Sequence, residues 1–215
     1  MRASIQAALR AGSVPAKALS VKIVLIDFHT HTNASDGALA PGELVDRALA
    51  RNIDLLAVTD HDTVAGYHAA VEHYQGKRGS LRLVSGVELS CRWSGATVHV
   101  VGLGVDTEAP GLKAGLARLD QARLDRGRKI DHRLAQKGFE GAFEGALRHA
   151  GSSQLGRPHF AAWMVEAGHV EDQGRAFDRY LGQGKLGDVK AFWPELAEVT
   201  GWITGAGGVA VLAHP

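Results

Sequence analysis

The sequence has a single cysteine, Cys91, among 215 residues, so no internal disulfide can staple the fold. It has almost no charge imbalance. Lys and Arg number 24 and Asp and Glu 23, for a formal net charge of +1. No basic field therefore announces an extended nucleic-acid surface, although a nucleotide or a short single strand held locally remains open. No apolar run is long enough to span a membrane. There is no internal repeat and no low-complexity tract. Residues 1–20 contain Arg2, Arg10 and Lys17 but no acid. They lack the continuous apolar block of a secretory signal and read as a disordered leader or a start placed too early. These absences are those expected of a cytoplasmic protein. The 45% hydrophobic and 22% charged residues are ordinary for a soluble chain, and the length allows one substantial core or one domain with a sizeable insertion.

Histidine, by contrast, is abundant, with 11 residues. Several lie beside Asp, Thr or Pro at the ends of expected elements. The densest stretch is Asp27-Phe28-His29-Thr30-His31, closing at Ser35-Asp36-Gly37. It follows the β-branched run Val21 to Ile26, which reads as a buried strand. Alternate strand residues share a face, so His29 and His31 point the same way, as does Asp27 if the strand reaches it. Two imidazoles so placed can grip one borderline metal ion, and a nearby carboxylate can orient a ligating ring. His-x-His alone is better read as a pair of residues ending a strand, because the pattern is short. The later Thr59-Asp60-His61-Asp62 turns the balance toward metal.

Strand and helix signals alternate from Val21 to about Gly104. Pro41 and Gly42 open a helix through Leu49, and Leu55 to Val58 is a second strand running into His61. A helix from Val64 to Tyr74 follows, stopped by Gly76. Leu81 to Val84 is a third strand ending at Gly86-Val87-Glu88, and Thr97 to Val105 a fourth carrying His99. The alternation implies a parallel sheet with right-handed crossovers, whose chemistry gathers at the strands' carboxyl ends. His29, His31, His61 and Glu88 fall at or just past such ends. From Thr107 to about Gly205 the spacing is helical. Leu112, Leu116, Leu119, Leu124, Ile130 and Leu134 mark a long amphipathic helix. Gly156-Arg157-Pro158-His159 opens another helix, and Tyr180-Leu181-Gly182-Gln183-Gly184-Lys185 is a Gly-rich turn ending in a cation. A helix after Trp193-Pro194 reaches Ile203. Val209 to Ala213 is a fifth strand, ending at His214-Pro215. The expected division is a leader over 1–20, a sheet domain over 21–106, a helical insertion over 107–205, and a return to the sheet over 206–215.

His29, His31, Asp36, His61, Glu88, His99 and His214 make a nitrogen and oxygen ligand set without thiolate, suited to manganese, iron or zinc. Glu88 can bridge two ions. Metals held close together can bind a phosphate oxygen and turn a bound water into hydroxide, with no side-chain nucleophile required. Arg157 can grip a phosphate oxygen, His159 can add a hydrogen bond or metal contact, and Lys185 can act as a point charge. Other roles stay open for His99, which suits a core histidine nearly as well, and for Lys185, which suits a surface turn better. His68, His73, His132, His149 and His169 have no partner motif, and Cys91 reads as inert.

Asp27-Phe28-His29-Thr30-His31-Thr32 with Ser35-Asp36-Gly37, Thr59-Asp60-His61-Asp62-Thr63 and Gly86-Val87-Glu88 resembles the PHP (polymerase and histidinol phosphatase) superfamily. The pattern continues through His99-Val100-Val101-Gly102, Gly156-Arg157-Pro158-His159, Tyr180-Leu181 with Gly184-Lys185, and Ala213-His214-Pro215. It is similar to bacterial phosphoesterases that act on nucleoside 3′,5′-bisphosphates and trim 5′ ends of short RNA or DNA. The resemblance implies an α/β fold, a distorted (β/α)7 TIM-like barrel with an α-helical insertion, incomplete at the C-terminus. It implies two or three divalent ions, manganese foremost and zinc or iron as alternatives, on the seven residues named above. The catalytic work would fall to His29, His31, His61 and Glu88, and substrate binding to Arg157, His159 and Lys185. Family members continue past the position of His214-Pro215 to an Asp-x-His that completes the cluster, and this sequence lacks it. The substrate would be a small nucleotide or a short single strand, with neither a membrane nor an obligate protein partner. A histidinol-phosphate-type phosphatase and a non-catalytic PHP metal-binding module are the alternatives.

Overall fold

The computed structural model describes residues 23–75, 80–190 and 192–214. The expected leader, the strand start at Val21, the stop at Gly76 and the terminal Pro215 lie outside the described residues. The described chain forms five strands and seven α-helices in an α/β arrangement. The strands are β1 (Ile26–Thr30), β2 (Leu55–Val58), β3 (Arg82–Trp93), β4 (Ala96–Leu103) and β5 (Val209–Leu212). They lie in one sheet in sequence order.

The first three strands pair in parallel, with Ile26 beside Leu55 and Leu55 beside Arg82. Helices α1 (Pro41–Ala50) and α2 (Ala65–Tyr74) make the crossovers. The expected parallel alternation holds only this far. β3 runs on through Glu88 to Trp93 and turns back, pairing antiparallel with β4, so that Ser90 faces His99. The cause is the two-residue turn Ser94-Gly95, both at positive φ (48° and 79°). That geometry matches the twist of a hairpin, and a Ser-Gly pair between β-branched runs was the missed signal. β4 and β5 are also antiparallel, with Val101 beside Val211. Glu88 is therefore a mid-strand residue rather than a strand-end one.

The long helix α3 (Pro110–Ala135) forms as its leucine spacing requires. At 1.5 Å per residue it spans about 40 Å, long enough to serve two cores. Leu112 and Leu119 pack with Val87, Leu89, Val100 and Ile203 against the sheet. Ile130 and Leu134 pack with Phe160, Met164 and Leu181 among the remaining helices. Those helices are α4 (Ala142–Ala150), α5 (Arg157–Glu166) and the short α6 (Gln173–Ala176). A π-helical turn over Phe177–Leu181 follows α6, and α7 (Leu196–Gly205) returns the chain to the sheet. A third cluster, with Val45, Leu56, Val58 and Ala70, seats α1 and α2. The two outer strands expose apolar side chains to solvent, Ile26 with the preceding Ile23 on one side and Val209 and Leu212 on the other.

Candidate metal centre

The site is built around one carboxylate. Glu88 is fully buried on β3, and five imidazoles close on it. His29 Nε2 and His31 Nε2 each lie 3.0 Å from Oε2, and His61 Nδ1 lies 3.5 Å away. On the other oxygen, His99 Nδ1 is at 3.2 Å and His214 Nε2 at 3.1 Å. Asp36 approaches from outside, 3.6 Å from His31 and 3.7 Å from His61. All seven expected ligands are thus brought to one place.

Local structure explains the convergence. His29 is the penultimate residue of β1, and a break in the strand's pairing register between Asp27 and Thr30 accompanies the turn into His31. The loop from His31 to Gly37 folds back tightly. A Cβ at Gly37 would sit 2.3 Å from the His31 carbonyl oxygen, so only glycine fits. The two aspartates flanking His61 are clasps rather than ligands. Asp60 Oδ1 accepts from the Thr32 amide and the Ser35 hydroxyl, and Oδ2 from the Thr32 hydroxyl, all at 2.7 Å. Asp62 accepts from the Ser90 amide at 2.6 Å and the Ser90 hydroxyl at 2.8 Å. Asp60 therefore fixes the His31 loop, and Asp62 fixes β3 just past Glu88.

The cluster does not satisfy itself. Among the described residues, only the His29 contact to Glu88 has hydrogen-bond geometry, and His31 Nδ1, His61 Nδ1 and Glu88 Oε1 are buried with no hydrogen-bond partner. Unmet buried polar atoms cost about 1–3 kcal/mol each, so the residues fit a cation better than they fit one another. Three overlapping sets, His29–His31–Glu88, His31–Asp36–His61 and His61–Glu88–His99, have ligand atoms within 4.8 Å of each other. That spread suits metal bonds of about 2 Å to nitrogen and oxygen. Electrostatics agrees. Burial would push the Glu88 carboxyl up, but the imidazoles of His31, His99, His61 and His29 outweigh it and hold it far below the usual range. Burial brings His61 down to about 4, aided by His99 and Arg123 against Glu88 and Asp36. A neutral imidazole beside an ionised carboxylate is the state a metal requires.

A cavity of about 340 Å³ opens beside the cluster. Asp36, His61 and His99 of the cluster line it together with Arg123, Arg126, Arg157 and Lys190, the former called its ligand wall and the latter its guanidinium wall. Arg157, the first residue of α5, donates Nη1 to the Leu181 carbonyl at 3.1 Å, with Phe177 beneath it at 5.9 Å. The π-helical turn supplies both partners. Arg126 donates Nε to the Val189 carbonyl at 2.9 Å and lies 5.5 Å from the Trp193 ring. Neither arginine makes an ion pair among the described residues. Burial and the charges of Arg157 and Arg123 lower the Arg126 pKa, a pressure that a bound anion would relieve.

The other expected binding residues lie elsewhere. His159 accepts from the Gly156 amide through Nδ1 at 3.0 Å, capping α5, and its Nε2 is 3.3 Å from the Ser153 hydroxyl. It lines neither the cavity nor the cluster. Lys185 is exposed in the Gly-rich turn and does not line the cavity, whereas Lys190 does, 3.4 Å from Asp188. Arg123, Arg126 and Lys190 carried no motif in the sequence. Their only signal was helical or loop spacing, shared with any solvated charge.

A histidine-rich, thiolate-free cluster on and beside the strands of an α/β sheet, open to a cationic cavity, is a candidate metal centre. Residues 27–181 match the PHP domain family, and the chain belongs to it. It is 44% identical over 191 residues to a 3′,5′-nucleoside bisphosphate phosphatase from Chromobacterium violaceum, covering 88% of this chain and 66% of that protein. It is 42% identical over 192 residues to the 5′-3′ exoribonuclease Rnm of Salmonella typhimurium, covering 89% of this chain and 66% of that protein. The chain thus spans just under two thirds of the length of either relative. Its fold is similar to that of a Bifidobacterium adolescentis protein assigned as a metal-dependent phosphoesterase. The TM-score is 0.79 at 30% identity, covering 90% of this chain and 68% of the other. No helix among the described residues is long and apolar enough to cross a membrane.

Proposed function

We infer that this chain carries the metal and substrate sites of a phosphoesterase acting on a nucleoside 3′,5′-bisphosphate or on the 5′ end of a short oligonucleotide. The observation that carries this reading is one cavity lined both by Asp36, His61 and His99 of the ligand cluster and by Arg126 and Arg157, which make no ion pair among the described residues. Its volume is of the order that suits a small ligand. The names of the Chromobacterium and Salmonella relatives support the substrate class.

His29, His31, Asp36, His61, Glu88, His99 and His214 would hold two or three divalent ions, manganese foremost. Such ions supply Lewis-acid polarisation of a phosphoryl oxygen and lower the pKa of water. Glu88 contributes the buried negative charge that balances them. Asp60 and Asp62 keep the ligand loops in register. Arg126 and Arg157 present free guanidinium donors that orient an anionic group against the ligand wall. The residues fit a sheet continued into a seven-stranded barrel, which the apolar outer faces of β1 and β5 support, with the helices between Thr107 and Gly205 as an insertion. The cytoplasm is the compartment that suits a nucleotide substrate and one free cysteine.

The test is metal content together with manganese-dependent phosphate release from adenosine 3′,5′-bisphosphate, with the Chromobacterium relative run alongside. Bound manganese and release by both proteins is the expected result. Bound metal without release by this chain would move the reading to a non-catalytic metal-binding module, and no bound metal would overturn it.

A further inference from the structure

Of the guanidiniums lining the cavity, Arg123 differs in making an ion pair among the described residues, with Asp62. It is 8% exposed and rises from α3. Its Nε donates to Asp62 Oδ2 at 2.8 Å, and its Nη2 lies 2.5 Å from the same oxygen. Nη2 also reaches the Ser90 hydroxyl at 3.4 Å, and Nη1 donates to the Leu155 carbonyl at 3.1 Å. The neighbours of these partners matter more than the partners themselves. Asp62 follows His61, Ser90 lies two residues beyond Glu88, and Leu155 lies two before Arg157. Arg126 is one turn further along α3 from Arg123. A single planar side chain on α3 therefore joins the loop that carries His61 and the strand that carries Glu88 to the segment just before Arg157 on α5.

Asp62 also holds an unusual backbone conformation. Its φ is +54°, a left-handed conformation that Asp tolerates better than most residues and that persists where surrounding contacts over-determine it. Its amide donates to the Glu88 carbonyl at 2.9 Å, and its carboxylate takes the Ser90 and Arg123 donors.

We propose that Asp62 and Arg123 form a positioning pair that sets the separation between the metal ligands and the Arg126–Arg157 wall, and so selects ligands with two separated phosphates over those with one. The proposal rests on the functional reading above for the identity of the ligand. A buried ion pair that merely held the core together would affect all ligands alike. A strut affects only the ligand that must touch both walls, where an error of about 1 Å can cost up to about 100-fold.

Arg123→Lys keeps the charge and loses the fork that spans Asp62, Ser90 and Leu155. It is compared with the unaltered chain by calorimetric titration with Mn²⁺, then with adenosine 3′,5′-bisphosphate and adenosine 5′-monophosphate. The expected result is unchanged Mn²⁺ affinity, monophosphate affinity within about twofold, and bisphosphate affinity reduced about tenfold. Ser90→Ala, a milder change, is expected to move bisphosphate affinity in the same direction by about threefold. Equal loss of both nucleotides, or no loss of either, would overturn the proposal. Amide hydrogen exchange gives a readout independent of nucleotide. Mn²⁺ is expected to slow exchange over residues 154–157 in the unaltered chain and not in Arg123→Lys. Equal protection in both proteins would sink the strut. Failure of the unaltered chain to bind nucleotide would count against the functional reading alone, and the exchange data would still decide the pair.

Discussion

The two walls of the cavity are assembled by different means. The ligand wall draws on short stretches whose chemistry is dense in sequence: His29, His31 and Asp36 within eight residues, then His61, then Glu88. Each lies on or beside a strand, so the pleat and the sheet order are enough to bring them together. The guanidinium wall draws on Arg123 and Arg126 from the middle of a long helix, Arg157 from the start of another, and Lys190 from a loop. Only packing brings these together. The comparison teaches that a metal site can be encoded locally, because its ligands must share one small ion. An anion wall can be dispersed, because long flexible cations reach a common space from several directions.

Breaking the ligand wall should have the largest effect. The double change His29→Ala with His31→Ala is expected to abolish manganese-dependent phosphate release and bound manganese while leaving the circular dichroism spectrum unchanged. Retained release would sink the metal assignment. Glu88→Gln preserves shape but removes the only fully buried charge in the cluster. It is expected to weaken manganese binding by more than about 100-fold, a loss larger than that typical of residues behind the ligands, as read by elemental analysis after dialysis.

Breaking the second wall should be milder and of a different kind. Arg157→Ala and Arg126→Ala are each expected to raise the Michaelis constant about 10- to 100-fold, the worth of one charge-assisted hydrogen bond, with metal content unchanged. Loss of metal at an unchanged Michaelis constant would contradict the division between the walls. The smallest effects sharpen the comparison within the Gly-rich turn. Lys190→Ala is expected to raise the Michaelis constant about threefold and Lys185→Ala less than about twofold, in line with exposed charges. The reverse ranking would show that the turn, and not the cavity loop, presents the cation.

The same contrast explains which features could be read in advance. The helix at Pro41, the long helix through Leu112 to Leu134 and the helix opening after Gly156 followed from periodicity and punctuation. The hairpin at Ser94-Gly95 was missed because the run from Leu81 to Val84 looked complete, while β3 in fact carries on through Glu88. His159 sits in a conspicuous motif, yet its ring caps a helix. Lys185 sits in another, yet its side chain is exposed. Asp60 and Asp62 looked like more of the metal motif, yet each clasps backbone and hydroxyl donors.

By itself the sequence determined the ligand types, their grouping on or beside strands and the long helix, because these depend on residue chemistry and on the fixed periods of strand and helix. Only the tertiary structure decided that Glu88 is the hub of five imidazoles, that Arg126 and Lys190 face the cavity, and that Arg123 is engaged rather than free. Those facts depend on distances between residues far apart in the chain, which are set by how the cores pack around α3 and by no local period.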